Sequence, residues 1–162
     1  MGEWKEYKLE DVAEITSSKR IFFSDYVSSG IPFYRSKEII EKANGISINI
    51  ELFITPNRYF EIKDKFGAPS DGDILISAVG ERAGIPYCVN NDGDFYFKDG
   101  NLIWFRKFRK DFFSEFLVYY FKSFIGRQSL ESTMIGSAQK ALTIIGLKGL
   151  QVKFPSYNEQ KS

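Results

Sequence analysis

The chain has 162 residues, 43% hydrophobic and 17% aromatic with sixteen Phe, which excludes a disordered tail and suits one domain with a real core. It has no His and a single Cys, which removes the commonest general base and excludes an internal disulfide or a thiolate zinc site. The net charge is only +1, but it is uneven: residues 98–162 hold 11 Lys/Arg against 5 Asp/Glu, and residues 1–97 hold 11 against 16. A basic half can meet phosphates while an acidic half faces elsewhere.

Met1-Gly2-Glu3-Trp4-Lys5 lacks the apolar stretch of a signal peptide, and no apolar run approaches the ~20 residues of a membrane helix. The cytoplasm is the expected compartment. Leu9, Val12, Ala13 and Ile15 fit one face of a short helix opened by acidic residues. Thr16 to Arg20 is a polar loop with two adjacent cations. Ile31 to Arg35 reads as extended around Pro32, and Lys37 to Ala43 as one or two helical turns stopped at Asn44-Gly45.

Thr55-Pro56 predicts a helix start, with Thr as N-cap and Pro as first helical residue, running to about Lys65 and ending at Gly67. Asp71-Gly72-Asp73 is a tight turn, followed by a buried strand over Ile74–Ala78. Gly80 to Gly84 is a glycine-bounded loop. Tyr87-Cys88-Val89 is a strand and Asn90 to Asp94 a hairpin-type turn. Phe95–Phe97 and Leu102–Phe105 are further strands.

Residues 112–124 predict the clearest helix, with Phe112, Phe113, Phe116, Leu117, Tyr120, Phe121 and Phe124 on one face and Gly126 at the C′ position. A second short helix is expected around 128–134. A strand-like run follows Lys140, then a compact turn at Gly146–Gly149 and a strand stopping at Pro155. The order of elements predicts an α+β domain with a twisted, mainly antiparallel sheet and a few flanking helices.

Phosphate-loop, metal-cluster and His-based triad patterns are missing. Asp71/Asp73 and Asp92/Asp94 sit in Gly-containing turns, where turn chemistry explains them. Cys88 in an apolar strand reads as a buried, inert thiol. Binding has better material, because sequence-specific DNA contact needs donors for base edges and cations for phosphates. Four loops carry such groups: Ser17, Ser18, Lys19 and Arg20; Tyr34, Arg35, Ser36 and Lys37; Glu81 and Arg82; and Ser137, Gln139 and Lys140.

The chain resembles the target recognition domain of type I restriction–modification specificity subunits. The blocks that carry the resemblance are Trp4 to Val12, Thr16 to Arg20, Pro32 to Ile39, Gly72 to Gly80, Phe97 to Trp104 and Gly136 to Lys140. The closing Gly146 to Pro155 and Asn158-Glu159-Gln160 complete it. The resemblance implies a non-catalytic reader of one half of a split double-stranded DNA target, holding no cofactor. It implies DNA contacts by Ser17, Ser18, Lys19, Arg20, Tyr34, Arg35, Ser36, Lys37, Arg82, Ser137, Gln139 and Lys140. Lys19, Arg20, Tyr34, Arg35 and Lys37 are the first choices for base readout, with a structural salt bridge as the alternative for either arginine. Blocks like Gly136–Lys140 are shared by readers of different sequences, so that loop is expected to position backbone. The partners implied are methyltransferase and restriction subunits. Residues 1–157 are expected to form the reader and 158–162 to begin a truncated spacer helix, with the subunit-docking helices expected to be absent. A stand-alone regulatory fragment and a remnant of a type II restriction–methyltransferase are the alternatives.

Overall fold

A computed structural model of the chain describes residues 3–136 and 139–162. The order is β1 (Lys5–Lys8), a 3-10 turn (Leu9–Asp11), β2 (Glu14–Thr16), a 3-10 turn (Phe23–Asp25), β3 (Tyr26–Val27), β4 (Ile31–Tyr34) and α1 (Ser36–Ala43). Then come β5 (Phe53–Ile54), α2 (Pro56–Phe66), β6 (Ile74–Ser77), β7 (Pro86–Cys88), β8 (Tyr96–Phe97) and β9 (Leu102–Arg106). The chain continues with α3 (Ser114–Lys122), α4 (Phe124–Thr133), α5 (Ile144–Gly149), β10 (Gln151–Phe154) and α6 (Tyr157–Gln160).

The centre is the antiparallel sheet β2-β9-β6-β7. Its two middle strands are covered on both faces. Ile74 pairs with Phe105 and Ile76 with Ile103, and all four enter one core with Leu117, Phe121 and Leu147. Leu75 pairs with Trp104, and both turn to the other side, against Tyr34, Ile39, Phe95 and Phe97. The two-residue period of a strand therefore feeds two cores from one apolar run. This is why Ile74-Leu75-Ile76 and Leu102-Ile103-Trp104-Phe105 show no polar alternation although the sheet is antiparallel.

A second sheet has the order β3-β5-β4-β8. β4 and β8 run parallel, with Phe33 opposite Tyr96 and Tyr34 opposite Phe97. The expected α+β fold is present, with this one parallel pair among otherwise antiparallel ones. The turn at 90–94 does not make a hairpin, because β7 pairs with β6 while β8 joins the second sheet. β1 pairs with β10, Lys5 opposite Phe154, and joins the two ends of the fold.

α2 follows the sequence closely. Thr55 Oγ1 accepts from Arg58 N at 3.1 Å, Pro56 opens the helix, and Gly67 ends it at φ 88°. The Leu9–Ile15 segment is not one helix but a 3-10 turn leading into β2, and its four apolar residues are still buried. The aromatic helix is also corrected. It breaks at Ser123, whose hydroxyl accepts from Gly126 N at 3.1 Å and starts α4. Gly126 is therefore in the first turn of α4, and Phe124 is exposed rather than part of the core face.

A Cβ at Gly126 would overlap the Tyr120 carbonyl oxygen, so the α3–α4 corner depends on a residue without a side chain. Gly126→Ala should destabilise the chain by at least about 1–3 kcal/mol, the scale of core overpacking. Gly149, with open space around it, should tolerate Ala with a change of under about 1 kcal/mol. Urea denaturation of the two variants beside the parent checks the contrast.

Candidate nucleic-acid interface

The polar loops gather in three places. The first is the segment after β2. Ser17 and Lys19 line a cavity of about 180 Å³ with Glu14, Phe66, Tyr96, Trp104 and Arg106. The Lys19 backbone N–H donates to the Tyr96 hydroxyl, and its ammonium sits 4.4 Å above the Phe66 ring. Arg20 is exposed, 5.9 Å from the Phe22 ring. Neither cation makes an ion pair among the described residues. Ser18 is buried, and its hydroxyl has no hydrogen-bond partner among the described residues.

The floor of that cavity is braced from below. Arg106 stacks 4.2 Å over the Trp104 ring and donates to the Phe66 carbonyl at 2.7 Å. Trp104 Nε1 donates to Asp73 Oδ2 at 2.8 Å, and Ser70 N donates to the same oxygen at 3.0 Å. Burial nevertheless holds Asp73 above the usual carboxylate range. Asp71, Asp73, Asp92 and Asp94 all accept hydrogen bonds that fix loops, in keeping with turn chemistry.

The second place is the start of α1, and here the structure changes the expectation. Tyr34 is 3% exposed and belongs to the core. Arg35 is bidentate to Glu38, at 3.1 and 2.7 Å, and reaches Glu51 at 2.9 Å. Lys37 is exposed but lies 3.2 Å from Glu51, with Glu38 and Glu41 within 3.9 Å. Ser36 is half-buried at the first position of the helix. Three carboxylates thus surround two cations at this corner.

A bidentate contact to guanine is worth roughly 1–3 kcal/mol of discrimination. Releasing Arg35 would strand Glu38, whose side chain is 2% exposed. Breaking a buried pair costs roughly 3–5 kcal/mol, less here because the guanidinium is a third exposed. Arg35 is thus engaged by two carboxylates within the fold.

The third place joins two loops distant in sequence. Gly80 N donates to Lys140 O at 3.0 Å, and Val79 bridges to Ala141. Gly80, Glu81, Ala83, Arg127, Glu131, Met134, Gln139 and Lys140 line a cleft of about 490 Å³. Arg127, which sequence reading did not single out, donates to the carbonyls of Gly84 and Ala83 at 2.8 Å each and so sets the shape of the 80–84 loop. Gly136 at φ 103° turns back against the Gln139 carbonyl, a close approach that a side chain would block. Arg82, Gln139 and Lys140 are exposed. Ser137 lies outside the described residues.

Three sheets, one of two strands and two of four, carry these loops, and no group of three His, Cys, Asp or Glu is placed for a metal among the described residues. Comparison with known proteins gives the family. The profile of the type I restriction modification DNA specificity domain matches residues 1–162, and the chain belongs to that family. It is 30% identical over 158 residues to S.HindORF215P of Haemophilus influenzae, a candidate type I restriction enzyme specificity subunit, covering 96% of this chain and 37% of that protein. The fold is similar to the HsdS subunit from Thermoanaerobacter tengcongensis, with a TM-score of 0.64 and 21% identity over 98% of this chain and 34% of that one. It is similar too to the type I S subunit from M. genitalium, with a TM-score of 0.62 and 15% identity over 98% and 36%. The chain therefore spans a little over a third of these relatives.

Two carboxylates tie the fold to pH. Burial acts to raise Glu38, but its hydrogen bonds from Arg35 outweigh burial and hold it below the usual range. Burial likewise opposes Asp92, which Lys42 at 2.6 Å and the Tyr87 hydroxyl hold low. A depressed carboxylate stabilises above its unfolded value, about 4.3 for Glu and 3.9 for Asp, and that contribution fades as pH falls through the folded value. Asp73, raised by burial, acts in the opposite sense. Arg35→Ala and Lys42→Ala should each lose about 1–3 kcal/mol at pH 7 and clearly less at pH 3. Urea midpoints at the two pH values measure the difference.

Proposed function

We propose that this chain reads one half of a split DNA target and performs no chemistry itself. On this reading, methyltransferase and restriction subunits of a type I system act, in the cytoplasm, where the reader directs them. The observation that carries the reading is the family match over residues 1–162, on a fold whose exposed Lys19, Arg20, Arg82 and Lys140 make no ion pair among the described residues. Ser17, Lys19 and Arg20 face base edges and phosphates from one loop. Arg82, Gln139 and Lys140 meet the backbone from the other, and Gln139 positions rather than selects. Lys37 contributes only to the extent that DNA displaces its carboxylates. Tyr34, Arg35 and the buried Ser18 support these loops from within, and Ser36 starts the helix beside them.

A single domain neutralising a few phosphates binds loosely, with a Kd of about 10⁻⁴–10⁻⁶ M at physiological salt. Lys19→Ala and Lys140→Ala should each weaken binding to duplex DNA and shallow the salt slope by about 0.9 per lost phosphate contact. Lys140→Ala should do so equally on all sequences, whereas Arg20→Ala should relax preference at one position. Fluorescence anisotropy across a salt series, with a set of duplexes drawn by selection from a random pool, reads all three. Methyl transfer by the purified chain supplied with S-adenosylmethionine would overturn the assignment.

A further inference from the structure

The loop that carries Lys19 and Arg20 ends in two phenylalanines that the core does not use. Phe23 is 89% exposed and Phe22 58% exposed. Burying such a side chain is favourable in proportion to its apolar area, and the fold leaves most of both rings in water.

These rings are held out by a stiff support. The Phe22 N–H donates to Asp25 Oδ2 at 3.0 Å, and Asp25 N donates back to the Phe22 carbonyl at 2.8 Å. The Asp25 carboxylate lies 3.9 Å from Arg58 on α2. Behind Phe23 runs an aromatic column, with centroids 5.9 Å to Tyr26, 5.5 Å from Tyr26 to Phe33 and 6.5 Å from Phe33 to Tyr96. Phe33 and Tyr96 are buried. The Tyr96 hydroxyl also accepts from Lys19 N, so the cations and the aromatic tip share one anchor. A force on Phe23 passes into the core.

Charge selects the partner. Arg20 lies 5.9 Å from the Phe22 ring, and it and the adjacent Lys19 have no carboxylate partner among the described residues, while Asp25 and Glu61 are engaged with Arg58. A surface that offers anions beside flat apolar faces satisfies both features, and duplex DNA offers phosphates beside base steps. We propose that Phe23, backed by Phe22, wedges into one base step of the half-site and kinks the duplex, so that step deformability is part of what this chain reads. This rests on the DNA-reading function proposed above. Pyrimidine–purine steps, which unstack most easily, are the preferred position.

The test uses this chain, duplexes selected from a random pool, and donor and acceptor dyes at the duplex ends. The parent should bend the selected duplex, and a mismatch at the wedged step should tighten its binding. Phe23→Ala should remove the bend and about tenfold in affinity for selected duplexes, while leaving affinity for unselected DNA and the salt slope unchanged. Its thermal midpoint should match the parent's, since the ring is exposed. A straight duplex in the parent complex, or a Phe23→Ala complex with the same bend and sequence preference, overturns the wedge and assigns the two rings to a protein contact. Failure of the parent to bind any duplex at low salt removes the reading function, and the wedge with it.

Discussion

The strand pair β6–β9 is apolar on both faces, and the rest of the domain exists to cover it. One side takes α3, α5 and the ends of the chain; the other takes α1, β4 and β8. A polar intrusion, the Trp104 indole donating to buried Asp73, satisfies both groups at the centre. Because each cover layer is needed, the loops between layers leave from fixed points. That is what gives the polar segments at 17–20, 80–84 and 139–140 a defined place although none of them is regular.

Electrostatics then separates loops that look alike in composition. Arg20 and Arg35 each stand beside a lysine or within two residues of one. Arg35 is engaged by Glu38 and Glu51, whereas Arg20 makes no ion pair among the described residues and lies 5.9 Å from the Phe22 ring. Salt bridges near α1 therefore consume charge that the sequence counts as available. Around Lys140 the balance is mixed, because Glu81 and Glu131 line the same cleft. Exposure alone does not make a cation a phosphate contact; the surrounding carboxylates decide.

Local signals were legible where the structure is local. Thr55, Pro56 and Gly67 mark both ends of α2, and Asn44-Gly45 marks the end of α1. The aromatic helix was misread because Phe-rich spacing continues across Ser123, and a capping hydroxyl outweighs hydrophobic period at a helix start. The turn at 90–94 looked like a hairpin because nearby strands usually pair; here Tyr96 finds Phe33, 63 positions away, and that pairing is visible only in three dimensions. The same holds for the site. Arg35's partner Glu51 lies 16 residues on, so its ion pair could not be read from its own loop. The exposure of Phe22 and Phe23 was hidden because a Phe-rich composition reads first as a core signal.

The β1–β10 ribbon has a mechanical consequence. Its antiparallel register puts Lys5 opposite Phe154, so the polypeptide enters and leaves the domain side by side. Tension applied across those two points would act perpendicular to the strands. It would unzip the four residue pairs from Lys5–Phe154 inwards, one after another, instead of shearing them together. Gln160 adds a latch beyond the ribbon, accepting from Phe113 N at 2.7 Å and donating to the Asp111 and Pro155 carbonyls. A pull on the ends would open this latch and ribbon at low force and leave β6–β9 untouched, so the domain would yield at its seam like a hinged clasp while its loops kept their shape.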